Sequence, residues 1–222
     1  MKRKCFWVMK KLKQPYLRIE LDRETSYGGN QGWFLKKYLR DSACGVIGAA
    51  DVISHLKGKD KMSEAEYMEF AGMLQKRYLP VIPKYGINGL VLMFGLNRYF
   101  QKQKMPYRCF WGMSGRKMIS RMDQMLENDI PVILSVGPNF PNFWGKQSVK
   151  LYKKITDEKY VPVSKARAHY MIATGRAGTW IRLSTWGKEY YMDYKEYREY
   201  VCTYSSPIVS NIVCIKEIKK IK

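Results

Sequence analysis

The 222-residue sequence is poor in acidic side chains, in histidine and in long apolar runs. Its 19 Asp and Glu residues stand against 40 Lys and Arg residues, which gives a formal charge of +21. No apolar stretch approaches the ~20 residues of a transmembrane helix, and the basic residues 1–13 contain no apolar core of signal-peptide length. We therefore expect a cytoplasmic protein without a membrane span.

Paired cysteine motifs are also missing. The five cysteines are scattered, and no two of them are separated by only two residues: Cys5, Cys44, Cys109, Cys202 and Cys214. This spacing argues against a structural zinc site and against a disulfide framework. We expect neither a metal ion nor a cofactor.

The composition indicates one ordered domain. Hydrophobic residues make up 46% of the chain and aromatic residues 14%, which excludes intrinsic disorder. Neither an internal repeat nor a low-complexity linker is found. The length allows a sizeable core without help from metals or disulfides.

Helical patterns dominate the first half of the chain and strand patterns the second. This order predicts an α+β fold with a helical lobe over about 30–128. A β-sheet lobe would comprise about 129–222 together with the N-terminal segment 1–29. Helices are predicted over 42–56, 63–78, 88–103, 114–126 and 193–200, and the main strands over 131–136, 168–174, 180–183, 189–192 and 210–218.

Basic residues concentrate in two segments. Residues 1–23 carry a net +6 and residues 145–168 a net +5. Such charge is typical of proteins that bind nucleic acid or another polyanion, but no nucleic-acid fold motif accompanies it. The second segment runs directly into His169, so it either lines a cleft that favours an acidic substrate or forms a solvated loop.

Cys44 lies near the start of the first long predicted helix. This helix carries apolar and small residues around most of its circumference, so we expect it to be buried. Asp41 or Ser42 would be its N-cap. The partial positive charge of a helix N-terminus lowers a thiol pKa, and Gly45 permits close approach of another chain. These features favour a nucleophile, whereas the alternative is a small buried hydrophobe.

A nucleophilic thiol needs a base, and only two histidines are present. His55 lies eleven positions after Cys44, which is ~16 Å along a helix axis and too far for contact. His169 is then the remaining histidine, and it opens the apolar strand HYMIATG. The following strand would place Ser184 or Thr185 beside it.

The order of four segments resembles the papain-like cysteine peptidases, most closely the branch that processes bacteriocins with double-glycine leaders. The segments are DSACGVIGAADVISHL, PVILSV, AHYMIATG and LSTWGKEYYMDY. The resemblance implies a papain-like fold with Cys44 as nucleophile and His169 as general base. Ser184 matches the position of the Asn or Asp that orients the histidine. The oxyanion-hole Gln of the family would fall near Tyr38, and the nearest amides are Asn30 and Gln31, of which Gln31 is the candidate donor.

The resemblance therefore implies a thiol-dependent hydrolase that cleaves a peptide or amide bond in a peptide or protein substrate. Two alternatives remain at this point. One is an inactive papain-like scaffold that binds peptides, and the other is a basic protein that binds nucleic acid or another polyanion. The sequence leaves the oligomeric state open.

Overall fold

A large antiparallel sheet and the helices packed on it make up an α+β fold. A computed structural model describes residues 9–112, 117–137, 145–156 and 158–218. Strands of the large sheet lie in the order β5-β12-β6-β9-β10-β11-β7-β8, and β1 also pairs with β9. These strands are β1 (Lys10–Lys11), β5 (Tyr107–Trp111), β6 (Val132–Val136), β7 (Val149–Lys154), β8 (Tyr160–Ala166), β9 (His169–Ala177), β10 (Trp180–Thr185), β11 (Lys188–Asp193) and β12 (Ile212–Glu217).

Six α-helices fall within the described residues. Two of them begin at the helix start that the sequence predicts, directly after a side chain that caps the helix. Ser63 accepts a hydrogen bond from the Glu66 N–H, and Asn88 accepts one from the Val91 N–H. The predicted helix over 114–126 runs from Met118 to Glu127, and residues 114–116 lie outside the described part. The helices are α1 (Lys37–Ser42), α2 (Cys44–Leu56), α3 (Glu64–Arg77), α4 (Gly89–Lys102), α5 (Met118–Glu127) and α6 (Tyr194–Tyr204).

Helix α2 is the central helix, and most of its circumference is buried, as its composition predicts. It lies against β9 and β6. Gly48 makes the approach close, because a Cβ atom at that position would stand 3.0 Å from Ile172 Cδ1. A Cβ atom at Gly45 would stand 3.3 Å from the Tyr170 ring. The two glycines thereby bring the start of α2 to the start of β9.

Helices and strands are less cleanly separated along the chain than predicted. Strand β5 lies within the segment assigned to the helical lobe, yet it pairs with β12 in the large sheet. A second, three-stranded sheet comes from the first part of the chain, with β2 (Arg18–Glu20) between β3 (Thr25–Tyr27) and β4 (Lys61–Ser63). The α+β class is confirmed, although a boundary near residue 128 does not divide the two kinds of element.

The two edge strands of the large sheet, β5 and β8, are protected from further strand pairing in different ways. On β5, the Asn97 side chain of α4 accepts from the Cys109 N–H at 2.7 Å and donates to the Cys109 carbonyl at 2.8 Å. Strand β8 forms the opposite edge and contains Pro162, which has no N–H, and the exposed Lys165. Over the described ranges, no helix combines the length and apolarity needed to cross a membrane.

Candidate active site

Cys44 is the first residue of α2, and its side chain is partly buried. The N-cap is Ala43, which makes no side-chain capping bond, so the prediction of Asp41 or Ser42 as cap is wrong. The reason is local: both residues belong to the preceding helix α1, where Asp41 pairs with Lys37 at 2.8 Å. Within the described part of the chain, the N-cap residue of α2 therefore offers no side-chain acceptor to the first N–H groups of the helix.

His169 is the first residue of β9 and is buried. Its Nε2 lies 2.7 Å from the Thr185 hydroxyl oxygen at the end of β10. Its ring stacks on Trp186, with 4.7 Å between ring centroids and 22° between ring planes. One ring nitrogen is thus fixed by a hydrogen bond, and one ring face is covered.

The covering tryptophan sits in a tight turn between β10 and β11. Trp186 and Gly187 both have positive φ, at 51° and 70°, as a two-residue type I′ hairpin turn requires. A bulky side chain is uncommon at such φ. The turn is held in place because the Gly187 N–H donates to the Gly29 carbonyl and the Tyr27 N–H donates to the Gly187 carbonyl.

Ser184, predicted as the partner of His169, has a different partner. Its hydroxyl donates to the Tyr27 carbonyl at 2.7 Å, and Thr185 occupies the position beside the imidazole. Strand pairing had named both residues and the family resemblance favoured Ser184, whereas the hydroxyl bonded to the imidazole is that of Thr185. The strand register that separates them is not visible in the sequence.

Gln31 begins a short 3₁₀ turn (Gln31–Trp33) and borders the same cavity as Cys44. Its Nε2 donates to the Arg40 carbonyl at 2.6 Å, and its Oε1 is buried without a hydrogen-bond partner among the described residues. The neighbouring Asn30 side chain accepts from the Gly32 N–H. Gln31 thus lines the cavity of the thiol with its donor group bonded to the Arg40 carbonyl, and its role as oxyanion donor stays a prediction.

One narrow cavity is lined by Cys44, His169, Thr185 and Trp186. Its free volume is about 10 Å³, close to the smallest space that holds one water molecule. Among the described residues, neither lysine nor arginine lines it. The basic residues of 145–168 that the structure describes instead belong to the β7–β8 hairpin and its flanks.

Burial controls the protonation of the thiol and the imidazole. It raises the pKa of Cys44, although the nearby Tyr170 and Gly45 N–H groups oppose that rise. It lowers the pKa of His169 to about 4. Near neutral pH both groups are uncharged, so the expected lowering of the thiol pKa by the helix terminus is outweighed. No hydrogen bond joins the two side chains in the described structure.

Asp51 lies two turns further along α2 and is almost fully buried. It accepts hydrogen bonds from the Tyr67 hydroxyl at 2.6 Å, the Tyr16 hydroxyl at 2.7 Å and the Gly29 N–H at 3.0 Å. Burial raises its pKa to about 6. Through Gly29, this carboxyl fixes the loop that leads to Gln31.

The second histidine does not take part in this site. His55 is buried near the far end of α2, with Nε2 3.4 Å from an oxygen of Asp129. In the parts of the chain that the structure describes, no cluster of three or more His, Cys, Asp or Glu side chains could hold a metal ion.

Comparisons of the chain with known protein families, with curated proteins and with solved structures gave no match. The function is therefore inferred from the residues and geometry of the site.

Proposed function

We propose that the protein is a thiol-dependent hydrolase of papain-like architecture that cleaves a peptide or amide bond. The observation that carries this proposal is the shared cavity of Cys44 and His169. The imidazole there is bonded to Thr185 and covered by Trp186. A cysteine at the start of a buried helix, lining the same cavity as a histidine of an antiparallel sheet, suits nucleophilic catalysis by a thiol.

The chemistry begins from the neutral pair. Because Nε2 of His169 faces Thr185, Nδ1 is the nitrogen that takes the thiol proton as the Cys44 sulfur attacks the substrate carbonyl carbon. The C–N bond then breaks, and the imidazolium returns its proton to the departing amine. Water activated by His169 attacks the thioester, releases the carboxylic acid and restores the thiol.

The resting geometry must change before this transfer. The thiol and the imidazole are not hydrogen-bonded, and such contacts commonly tighten only when substrate is bound. The cavity must also widen beyond its volume of about 10 Å³ to admit a carbonyl group. The backbone donors close to the sulfur are the Tyr170 N–H of β9 and the Gly45 and Cys44 N–H groups at the start of α2, and such N–H groups can stabilise an oxyanion.

Acyl transfer from p-nitrophenyl acetate tests the proposal. The reaction is stopped with acid, and the acetylated cysteine is located by peptide mass spectrometry. We expect acetylation of Cys44 before Cys202, although Cys202 is exposed and Cys44 only partly so. His169→Gln should abolish this preference because the thiol then lacks its base.

His55→Gln is the matched control, since it removes the other histidine far from the sulfur and should leave the preference intact. Acetylation that follows exposure, with Cys202 first, would contradict the proposal. Equal acetylation of Cys44 in the wild-type protein and in His169→Gln would contradict the role of His169.

A further inference from the structure

A second cavity, of about 250 Å³, lies between helix α5 and the strand pair β5–β12. It shares no lining residue with the cavity at Cys44. One part of its wall is apolar and includes Phe110, Met125 and Ile130. Another part is cationic, with Arg121 from α5 and Lys216 from β12.

Arg121 differs from the other residues that line this cavity because part of its charged group is buried. Its Nη1 is buried and has no hydrogen-bond partner in the described structure. Both carboxylates of α5 are engaged elsewhere, since Asp123 accepts from Arg176 at 2.7 and 2.5 Å and Glu127 pairs with Lys10. The helix therefore supplies no counter-charge to this guanidinium.

A second cation stands beside the same aromatic ring. The Lys216 ammonium lies 5.3 Å from the centroid of Phe110, and the Arg121 guanidinium carbon lies 5.9 Å from it. Arg108 is directly opposite Lys216 across the two strands, which adds a like charge. Glu217 also borders the cavity, but it forms no ion pair with either cation within the described residues.

Nη1 has almost no accessible surface, so an anion in the cavity must contact another part of the Arg121 guanidinium. Within the described residues, neither this guanidinium nor the Lys216 ammonium forms an ion pair, and two cations at one cavity without a counter-charge are unfavourable. The planar guanidinium is suited to bidentate bonds with a carboxylate, and Lys216 offers a second charge. The apolar wall fits a carbon skeleton attached to that anion. We propose that this cavity binds a small organic carboxylate, with its carboxylate on Arg121 and Lys216 and its apolar part against Phe110.

Benzoate, its neutral isostere benzamide and inorganic phosphate are the probes for this site. Each is titrated into the ¹⁵N-labelled full-length protein and followed by NMR chemical shifts. We expect saturable shifts with benzoate at the Arg121 side chain and along β12. Benzamide lacks the charge and phosphate lacks the apolar part, so both should bind at least tenfold more weakly.

Two variants test the assigned contacts. Arg121→Gln should weaken benzoate binding at least tenfold, and Lys216→Gln, at an exposed position that folding tolerates, should weaken it severalfold. Arg98→Gln is the matched control, because Arg98 lies over the Tyr78 ring at 6.0 Å, outside the cavity. It should leave binding unchanged.

Three results would overturn the proposal. The first is an absence of saturable benzoate binding. The second is benzamide or phosphate binding as tightly as benzoate, since the site would then not recognise an organic carboxylate. The third is unchanged benzoate affinity in both Arg121→Gln and Lys216→Gln.

Discussion

At the scale of single residues, the orientation of His169 depends on two neighbours in one turn. Thr185 bonds Nε2, and Trp186 covers the ring from a backbone conformation that large side chains seldom adopt. Residues held in sparsely populated φ/ψ regions are frequent at functional sites. Under the proposed function, the hydroxyl of Thr185 takes the place of the amide or carboxylate that the family resemblance implies beside His169, and a neutral hydroxyl stabilises an imidazolium less than a carboxylate does.

Removing that hydroxyl tests its importance. Thr185→Val keeps the shape of the side chain but leaves Nε2 without its bond, so acylation of Cys44 should slow by about tenfold or more. Unfolding free energy should fall by about 1–3 kcal/mol. Thr185→Ser keeps the hydroxyl and should retain most of the rate. Equal rates for Thr185→Val and Thr185→Ser, measured by acid-quenched acetylation, would show that the bond has no part in catalysis.

The low pKa of His169 determines how the unfolding free energy of the protein should depend on pH. Because this pKa is about 4 in the folded protein and 6.5 in the unfolded chain, the unfolded chain binds the proton first as the pH falls. The unfolding free energy therefore decreases from about pH 6.5 down to about pH 4, by up to about 3 kcal/mol. Acylation of Cys44 should likewise persist to about pH 5 because the base stays neutral.

Urea unfolding at about pH 7 and about pH 4 measures this effect. The wild-type protein should lose more unfolding free energy between the two pH values than His169→Gln does. Asp51, whose raised pKa acts in the opposite direction, is present in both proteins and cancels in the comparison. Equal losses in the two proteins would refute the assigned shift.

The pairing of Cys44 with His169 in one candidate site follows from the sequence, and the roles of the two residues stay predictions. The distance along one helix between Cys44 and His55 excluded His55 as the partner of the thiol and left His169. In the structure, His169 lines the same cavity as Cys44. Two features could not be predicted. The choice between Ser184 and Thr185 depends on strand register, and the protonation of Cys44 depends on burial by β9 across the chain.

At the scale of elements, the contact between α2 and β9 positions the two ends that carry Cys44 and His169. Gly45 and Gly48 are the residues that permit it, since each faces a β9 side chain at close range. Gly72, in α3, has open space where its Cβ would be. A glycine is therefore needed for close packing at the two positions of α2, whereas nothing in the packing requires one at Gly72 of α3.

Alanine substitution should therefore change the unfolding free energy in opposite directions at Gly48 and Gly72. Gly72→Ala should raise the unfolding free energy by about 0.5–1 kcal/mol through helix propensity alone. Gly48→Ala gains the same propensity but overpacks Ile172, so we expect a net loss of about 1 kcal/mol and slower acylation of Cys44. Chemical denaturation of the two variants provides the comparison, and equal stabilisation by both would mean that the helix and strand are not tightly apposed.

Elements with strong local signals were predicted well. Helices α3 and α4 carry capping side chains at the predicted starts, and β6 and the first half of β9 are largely apolar. The β7–β8 hairpin was missed, because its exposed lysines made the segment resemble a charged loop. Strand β5 was missed because its partner β12 lies about a hundred residues further along the chain.

At the scale of the whole molecule, the charge of +21 destabilises the folded state through self-repulsion. The ion pairs that the structure describes are mostly at exposed side chains, where each contributes little. Repulsion between surface charges is screened by salt over a Debye length of ~10 Å at 0.1 M.

Added salt should therefore stabilise the protein. Raising NaCl from about 0.05 M to about 0.5 M should raise the melting temperature by about 2–4 °C for each kcal/mol of repulsion relieved. Scanning calorimetry at fixed pH measures the change, and a nonionic osmolyte at matched osmolality controls for general solute effects. A lower melting temperature in high salt would mean that attractive ion pairs outweigh the repulsion.

The protected edges of the large sheet have a consequence for assembly. Unpaired edge strands are templates on which another chain can add, and proline, lysine and covering groups prevent this. On the β5 side, protection depends on Asn97 and hence on α4 being docked. A partly folded chain with α4 detached would expose that edge first, so aggregation during refolding should begin at β5 rather than at β8.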